Sequence, residues 1–193
     1  MADIFYRGDF DIFKVRNLNQ YNRPVKKRII AFDSKHSRTN TKVFISHKHD
    51  DLNDLAGIIG LLEKLFHVEI YIDSRDESMP EQTCGKTAAL IKENIKNCDK
   101  FILLATDKAI ESKWCNWELG FGDAIKYKEG QIAIFPLGNS PGEQYKGNEY
   151  MQIYPYIVYR DGTTYYKSGE RITKGYYVKN QQTIMPLAKW IEK

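Results

Sequence analysis

No stretch of about 20 consecutive apolar residues occurs in this chain, which excludes a membrane-spanning helix. The amino terminus, Met1-Ala2-Asp3-Ile4, lacks the basic and apolar regions of a secretory leader. Cysteine is scarce and odd in number: Cys84, Cys98 and Cys115 are widely spaced. That pattern argues against a disulfide framework and against a zinc site, and for a reducing cytoplasm. Neither sign of charge dominates. Twenty-nine Lys and Arg against 25 Asp and Glu leave +4, which permits contact with phosphate groups without calling for nucleic acid. There is no internal repeat and no low-complexity segment.

What is present is 193 residues, 42% hydrophobic and 13% aromatic, enough for one well-buried domain. Residues 1–40 read as an extension packed on the core through Ile4, Phe5, Phe10, Ile12 and Phe13, with Arg23, Lys26, Lys27 and Arg28 as a basic cluster. From there strands and helices alternate. Lys42-Val43-Phe44-Ile45-Ser46 and 68–72 have the β-branched and aromatic content of buried strands. Between them Leu55, Ile58, Ile59, Leu62 and Leu65 repeat at helical spacing. Residues 83–97 are amphipathic, with Ala88, Ile91 and Ile95 on one stripe and Thr83 as N-cap. The run 101–105 is apolar on both faces and so central. A helix then runs to near Gly130, followed by a strand at 132–137 and a loop through Pro141. In the tyrosine-rich tail, Asp161-Gly162 and Ser168-Gly169 mark hairpin turns, 156–160 supplies a fifth strand, and 185–191 a closing helix.

Alternation of this kind argues an α/β fold with a parallel sheet covered by helices on both faces. As a five-stranded, mainly parallel sheet of flavodoxin-like type, its order would be 2-1-3-4-5. Ligands of such sheets bind beyond the carboxyl ends of the strands, where the strand order reverses. Here that point lies between the first and third strands, at Ser46, His47 and the loop after Ala105. Glu118 sits on the helix after the third strand and so comes to the same crevice. It is four residues past Trp114, hence on one helix face with it. An indole beside a carboxyl excludes water from one side and strengthens its electrostatics. The plain alternative is a solvated surface glutamate.

Other motifs read more blandly. Cys84-Gly85-Lys86-Thr87 suits a helix start better than a phosphate loop, which would want Gly where Pro80 stands. His47 and His49 are two apart with no third ligand nearby, so a metal is not expected; Asp50 or Asp51 caps the next helix. The Tyr159-Arg160, Tyr165-Tyr166-Lys167 and Tyr176-Tyr177 runs fit half-buried sheet rather than a base-stacking platform. A phospho-acceptor receiver would want Asp at Ala105-Thr106. Arg7 and the cluster at Lys26 are open to two readings, a pyrophosphate contact or a surface coat.

The motifs Val43-Phe44-Ile45-Ser46-His47, Ile70-Tyr71-Ile72-Asp73, the loop 74–82 and Ser112-Lys113-Trp114-Cys115-Asn116-Trp117-Glu118-Leu119 resemble a TIR (Toll/interleukin-1 receptor-like) domain. The resemblance covers about 41–137, and its specific part is S-x-W-C-x-x-E-L. With the extension and tyrosine-rich tail added, the chain is similar to stand-alone bacterial TIR proteins of Thoeris anti-phage defence. The resemblance implies a TIR-like domain over 41–193 that cleaves NAD+ as substrate, with no separate cofactor or metal. It implies Glu118 as the catalytic residue, and Ser46, His47, Asp73 and Trp114 around the substrate. It further implies a cyclic ADP-ribose isomer as a diffusible signal to an NAD+-depleting effector. Self-association would run through the loop holding Arg75, Asp76, Met79 and Pro80. The competing expectation is a scaffold that assembles and does no chemistry.

Overall fold

The computed structural model describes residues 4–22, 40–73, 85–141 and 147–193. The strands are β1 (Phe5–Tyr6), β2 (Lys42–Ser46), β3 (Glu69–Ile72), β4 (Lys100–Ala105), β5 (Ile132–Gly138), β6 (Tyr156–Arg160), β7 (Gly175–Lys179) and β8 (Ile184–Pro186). The helices are α1 (Leu52–Phe66), α2 (Gly85–Asn97), α3 (Asp107–Glu111), α4 (Lys113–Lys126) and α5 (Leu187–Glu192).

They build a mixed α/β domain around one sheet, ordered β3-β2-β4-β5-β6-β7-β8. Strands β3 to β6 along that order are parallel, and β7 and β8 return antiparallel. The sheet is therefore longer than the five strands expected. After β6 the chain turns at Asp161, whose Oδ1 accepts from the Thr163 amide at 2.9 Å, and at Gly162, whose φ of +91° suits glycine. Its return adds two strands. A further short strand, β1, runs parallel to the end of β5, pairing Phe5 with Leu137 and Tyr6 with Gly138.

Apolar runs without alternation arise because both faces are covered. Val43, Ile45, Ile102, Leu104, Ala133 and Phe135 point to a core closed by α1 and α5. Phe44, Phe101, Leu103, Ile132 and Ile134 point to a second core closed by α2, α3 and α4. On that side Phe44 stacks on both Tyr71 and Phe101 at 5.5 Å.

Within the described residues, the amino-terminal segment 4–22 belongs to the first core. Phe5 and Phe10 meet Phe135 at 4.8 and 5.4 Å. Phe13 packs beside them, but Ile12 is 85% exposed, against expectation. Residues Asp11–Phe13 form a 3-10 turn, where positions three apart align, so 10 and 13 face inward and 12 points out. The extension lies directly on α1 because that helix offers two glycines. A Cβ on Gly57 would fall 2.5 Å from the Phe10 carbonyl oxygen, and on Gly60 1.8 Å from that of Phe13.

Gly60→Ala is therefore expected to destabilise the protein by about 1–3 kcal/mol in urea unfolding, since backbone must shift. Gly120→Ala is the control. It meets nothing within 4 Å on an exposed helix face, so it should be neutral or stabilising by up to about 1 kcal/mol. Equal stabilities for the two variants would refute the close seat of the extension.

Candidate active site

The segment after β4 is not one helix, as expected, but two. Thr106 caps α3, its Oγ1 accepting from the Ala109 amide at 3.1 Å. Ser112, extended at φ −71° and ψ 116°, breaks the run and caps α4 by accepting from the Cys115 amide. The new start sets which side of α4 faces the sheet: Cys115, Glu118, Leu119 and Gly122 are all buried. Gly122 permits a close seat, since a Cβ there would lie 3.1 Å from the Phe101 ring. α4 ends at Lys126, short of the expected Gly130.

This seating drives Glu118 under the carboxyl end of the sheet, where it is 1% exposed. A carboxyl group so placed needs a hydrogen-bond donor. Ser46 at the end of β2 supplies one, Oγ donating to Glu118 Oε2 at 2.5 Å. One turn earlier on α4, the half-buried Trp114 donates Nε1–H to Asp73 Oδ2, just beyond β3, at 3.4 Å. Three elements thus supply two pairs, Ser46 with Glu118 and Asp73 with Trp114, and α4 carries one member of each.

The imidazole of His47 does not join them. Ser46, the last residue of β2, turns toward α4, whereas the His47 ring just past the strand has Asp51, at the start of α1, as its neighbour. His47 Nδ1 lies 3.3 Å from the Ile45 carbonyl. Burial holds its pKa down to about 4, against the opposing influence of the Ile45 carbonyl and the nearby Asp51. What His47 offers α4 is its backbone carbonyl, which accepts from Cys115 Sγ at 3.4 Å. Burial also pushes the Cys115 thiol up, which keeps it protonated as that donor.

Arg7 answers to neither reading made from sequence. Its guanidinium donates to Asp51 Oδ1 at 2.7 Å, to Asp54 as well, and to Asn139 Oδ1 at 3.1 Å. Thr106 Oγ1 donates to the other Asp51 oxygen at 2.6 Å. Asp51 is thus a clamp between the extension, α1 and the end of β4. It does not cap α1 with its side chain, and Asp50 reaches Lys108 instead. The loop residues Arg75, Asp76, Met79 and Pro80, the cap Thr83 and the cluster at Lys26 lie outside the described residues.

Two further residues belong to the site and were missed. Tyr71 accepts from Asn94 Nδ2 at 2.5 Å, and both are buried. Burial first, then the nearby Asp73 and Glu118, raise the Tyr71 pKa, so its hydroxyl stays protonated. Tyr71 looks like ordinary strand core. Asn94 carried a usable signal: it is a polar residue on the stripe of Ile91 and Ile95, and buried amides there are paired.

An α/β domain with a carboxyl group buried at the carboxyl edge of a mainly parallel sheet, an indole one turn ahead of it, is the class these observations define. The chain belongs to the TIR domain family, whose profile matches residues 43–171. It is also 31% identical over 119 residues to a Bacillus cereus (strain MSX-D12) protein named probable 3' cyclic ADP-D-ribose synthase ThsB'. That similarity covers 60% of this chain and 60% of the relative's length.

The neutral, buried His47 has a consequence for stability. Its folded pKa, about 4, lies below its ordinary 6.5. The unfolded chain therefore takes up a proton that the folded chain refuses, and stability falls as pH drops from 6.5 toward 4. Urea unfolding should show a loss of about 2 kcal/mol from this group between pH 7 and pH 5. His47→Gln should remove that part of the slope. Parallel profiles for the two proteins would show that His47 is not the group responsible.

Proposed function

We propose that this protein cleaves the nicotinamide–ribose bond of NAD+ and closes the remaining ADP-ribose into a cyclic isomer, with Glu118 as the catalytic residue. The observation carrying this reading is the buried Glu118, held by Ser46 with Trp114 one turn away. The relative's name, a probable 3' cyclic ADP-D-ribose synthase, supports it.

The chemistry suits a single carboxylate. As the bond breaks, positive charge grows on the ribose ring and nicotinamide leaves as a neutral molecule. No acid is needed for a neutral leaving group, so the two-carboxylate rule of ordinary glycosidases does not apply. A preplaced carboxylate in a site of low dielectric stabilises the developing cation. Ser46 holds one oxygen of Glu118 in place, and Trp114 shields the nicotinamide end. Asp73 and Tyr71 lie beside them as polar groups for the ribose hydroxyls. Cyclisation adds one demand: an atom of the same molecule must reach the cationic carbon before water does, which a dry site favours.

In this reading the cyclic product is a diffusible signal. It activates a partner protein that depletes NAD+ during phage infection, and the enzyme acts in the cytoplasm. Self-association through residues 74–82, with Arg75, Asp76, Met79 and Pro80 at the contact, completes the reading and rests on the family resemblance.

The test is mass spectrometry of ADP-ribose isomers in phage-infected cells expressing the protein or Glu118→Gln. The amide can still accept from Ser46, so the fold is kept. A new isomer from the unmodified protein, lowered by about a thousandfold or more in the variant, is expected. Equal product from both would remove Glu118 from the chemistry. No product from either, across several phages, would favour a scaffold.

A further inference from the structure

Trp114 is half-buried, and a side chain at the rim of a site has more than one staggered position open to it. Contacts to Asp73 and Trp117 limit that freedom. The indole edge reaches Asp73 through a long hydrogen bond of 3.4 Å. The indole face meets Trp117, three residues on, with ring centroids 4.8 Å apart and planes 31° from parallel. Trp117 is itself held. It stacks on Phe121 at 6.3 Å with planes 18° apart. Lys92 of α2 lies over both rings, 5.7 Å from that of Trp117 and 5.1 Å from that of Phe121. Lys96 sits 5.9 Å from the Phe121 ring. A continuous aromatic ladder therefore runs along α4 from the site to a pair of lysines on the neighbouring helix.

A ladder needed only to join α2 to α4 could stop at Trp117. This one extends to the indole beside Glu118. We propose that Trp117 is a positioning residue: it fixes the plane of Trp114 across the site and so sets how much product is cyclic rather than linear. The inference rests on the NAD+ reading above. In both outcomes the bond from the ribose C1' to nitrogen breaks and neutral nicotinamide departs. In cyclisation an atom of the same ADP-ribose bonds to C1' and gives up its proton. In hydrolysis a water oxygen does so, yielding linear ADP-ribose. A loosened Trp114 admits water and favours the second path.

The test has two readouts on the full chain. Three tryptophans give three indole N–H signals in a nitrogen–proton correlation spectrum, and Trp114→Phe assigns one of them. In Trp117→Ala the Trp114 signal should move and exchange with solvent about tenfold faster or more. Trp117→Phe, which restores a ring, should return it toward its original place. With NAD+, Trp117→Ala should raise the linear-to-cyclic ratio about tenfold, and Trp117→Phe should restore most of the cyclic product. A purely structural role would lower the amount of folded protein without changing that ratio. Where Trp117→Ala unfolds, Trp117→Leu keeps apolar bulk without the ring and takes its place. An unmoved Trp114 signal, or an unchanged product ratio, overturns the proposal. If the unmodified protein consumes no NAD+, the proposed function falls and the product half of this inference with it. The indole spectrum then still decides whether Trp117 holds Trp114.

Discussion

The placement of Glu118 constrains everything around it. A carboxyl group at 1% exposure is tolerated only where a donor meets it and where the helix carrying it is held close. Ser46 supplies the donor, and so ties the end of β2 to α4. Gly122, one turn further along, lets α4 lie against Phe101. Ser112 sets the rotation of α4 by starting it afresh after α3. Each of these features is local and ordinary. Together they put one acidic group beneath the carboxyl edge of a parallel sheet, in a site of low dielectric where polar interactions are strengthened.

The two faces of that edge do different work. On the α4 face stand Ser46, Tyr71, Asp73, Trp114 and Glu118. On the α1 face Arg7 joins Asp51 and Asp54, and Thr106 completes the clamp. The division shows at the end of β2. Ser46 and His47 are neighbours in the chain, yet Ser46 serves Glu118 while the His47 ring has Asp51 as its neighbour. The amino-terminal extension, seated on Gly57 and Gly60 and buried through Phe5 and Phe10, closes the α1 side and leaves the site to the other.

Much of this was legible beforehand. The β–α alternation and the apolar runs at 101–105 and 132–137 pointed to a parallel sheet with both faces covered. Trp114 and Glu118 stood out by spacing and by resemblance. Less legible were features depending on partners distant in the chain. Arg7 looks like a loose surface cation until Asp51 and Asp54 are brought to it. Asp51 looks like a helix cap until Arg7 and Thr106 claim its oxygens. Ile12 looks like core because the 3-10 turn that points it outward leaves little trace in hydropathy. Tyr71 looks like ordinary core, and only its pairing with Asn94 sets it apart.

The sequence by itself determined the alternation of strands and helices from β2 to β6, the covered faces of the sheet and the helix face shared by Trp114 and Glu118. Those properties depend on residues near one another in the chain, through period-two and period-3.6 patterning. Tertiary structure alone decided that Ser46 serves Glu118 while the His47 ring does not, and that Arg7 is spent on two aspartates. It also decided that Trp117 lies against Trp114 in a ladder reaching α2. Such outcomes hang on where distant segments dock and on how close a helix sits to its sheet, distances of a few tenths of an ångström that patterning does not encode.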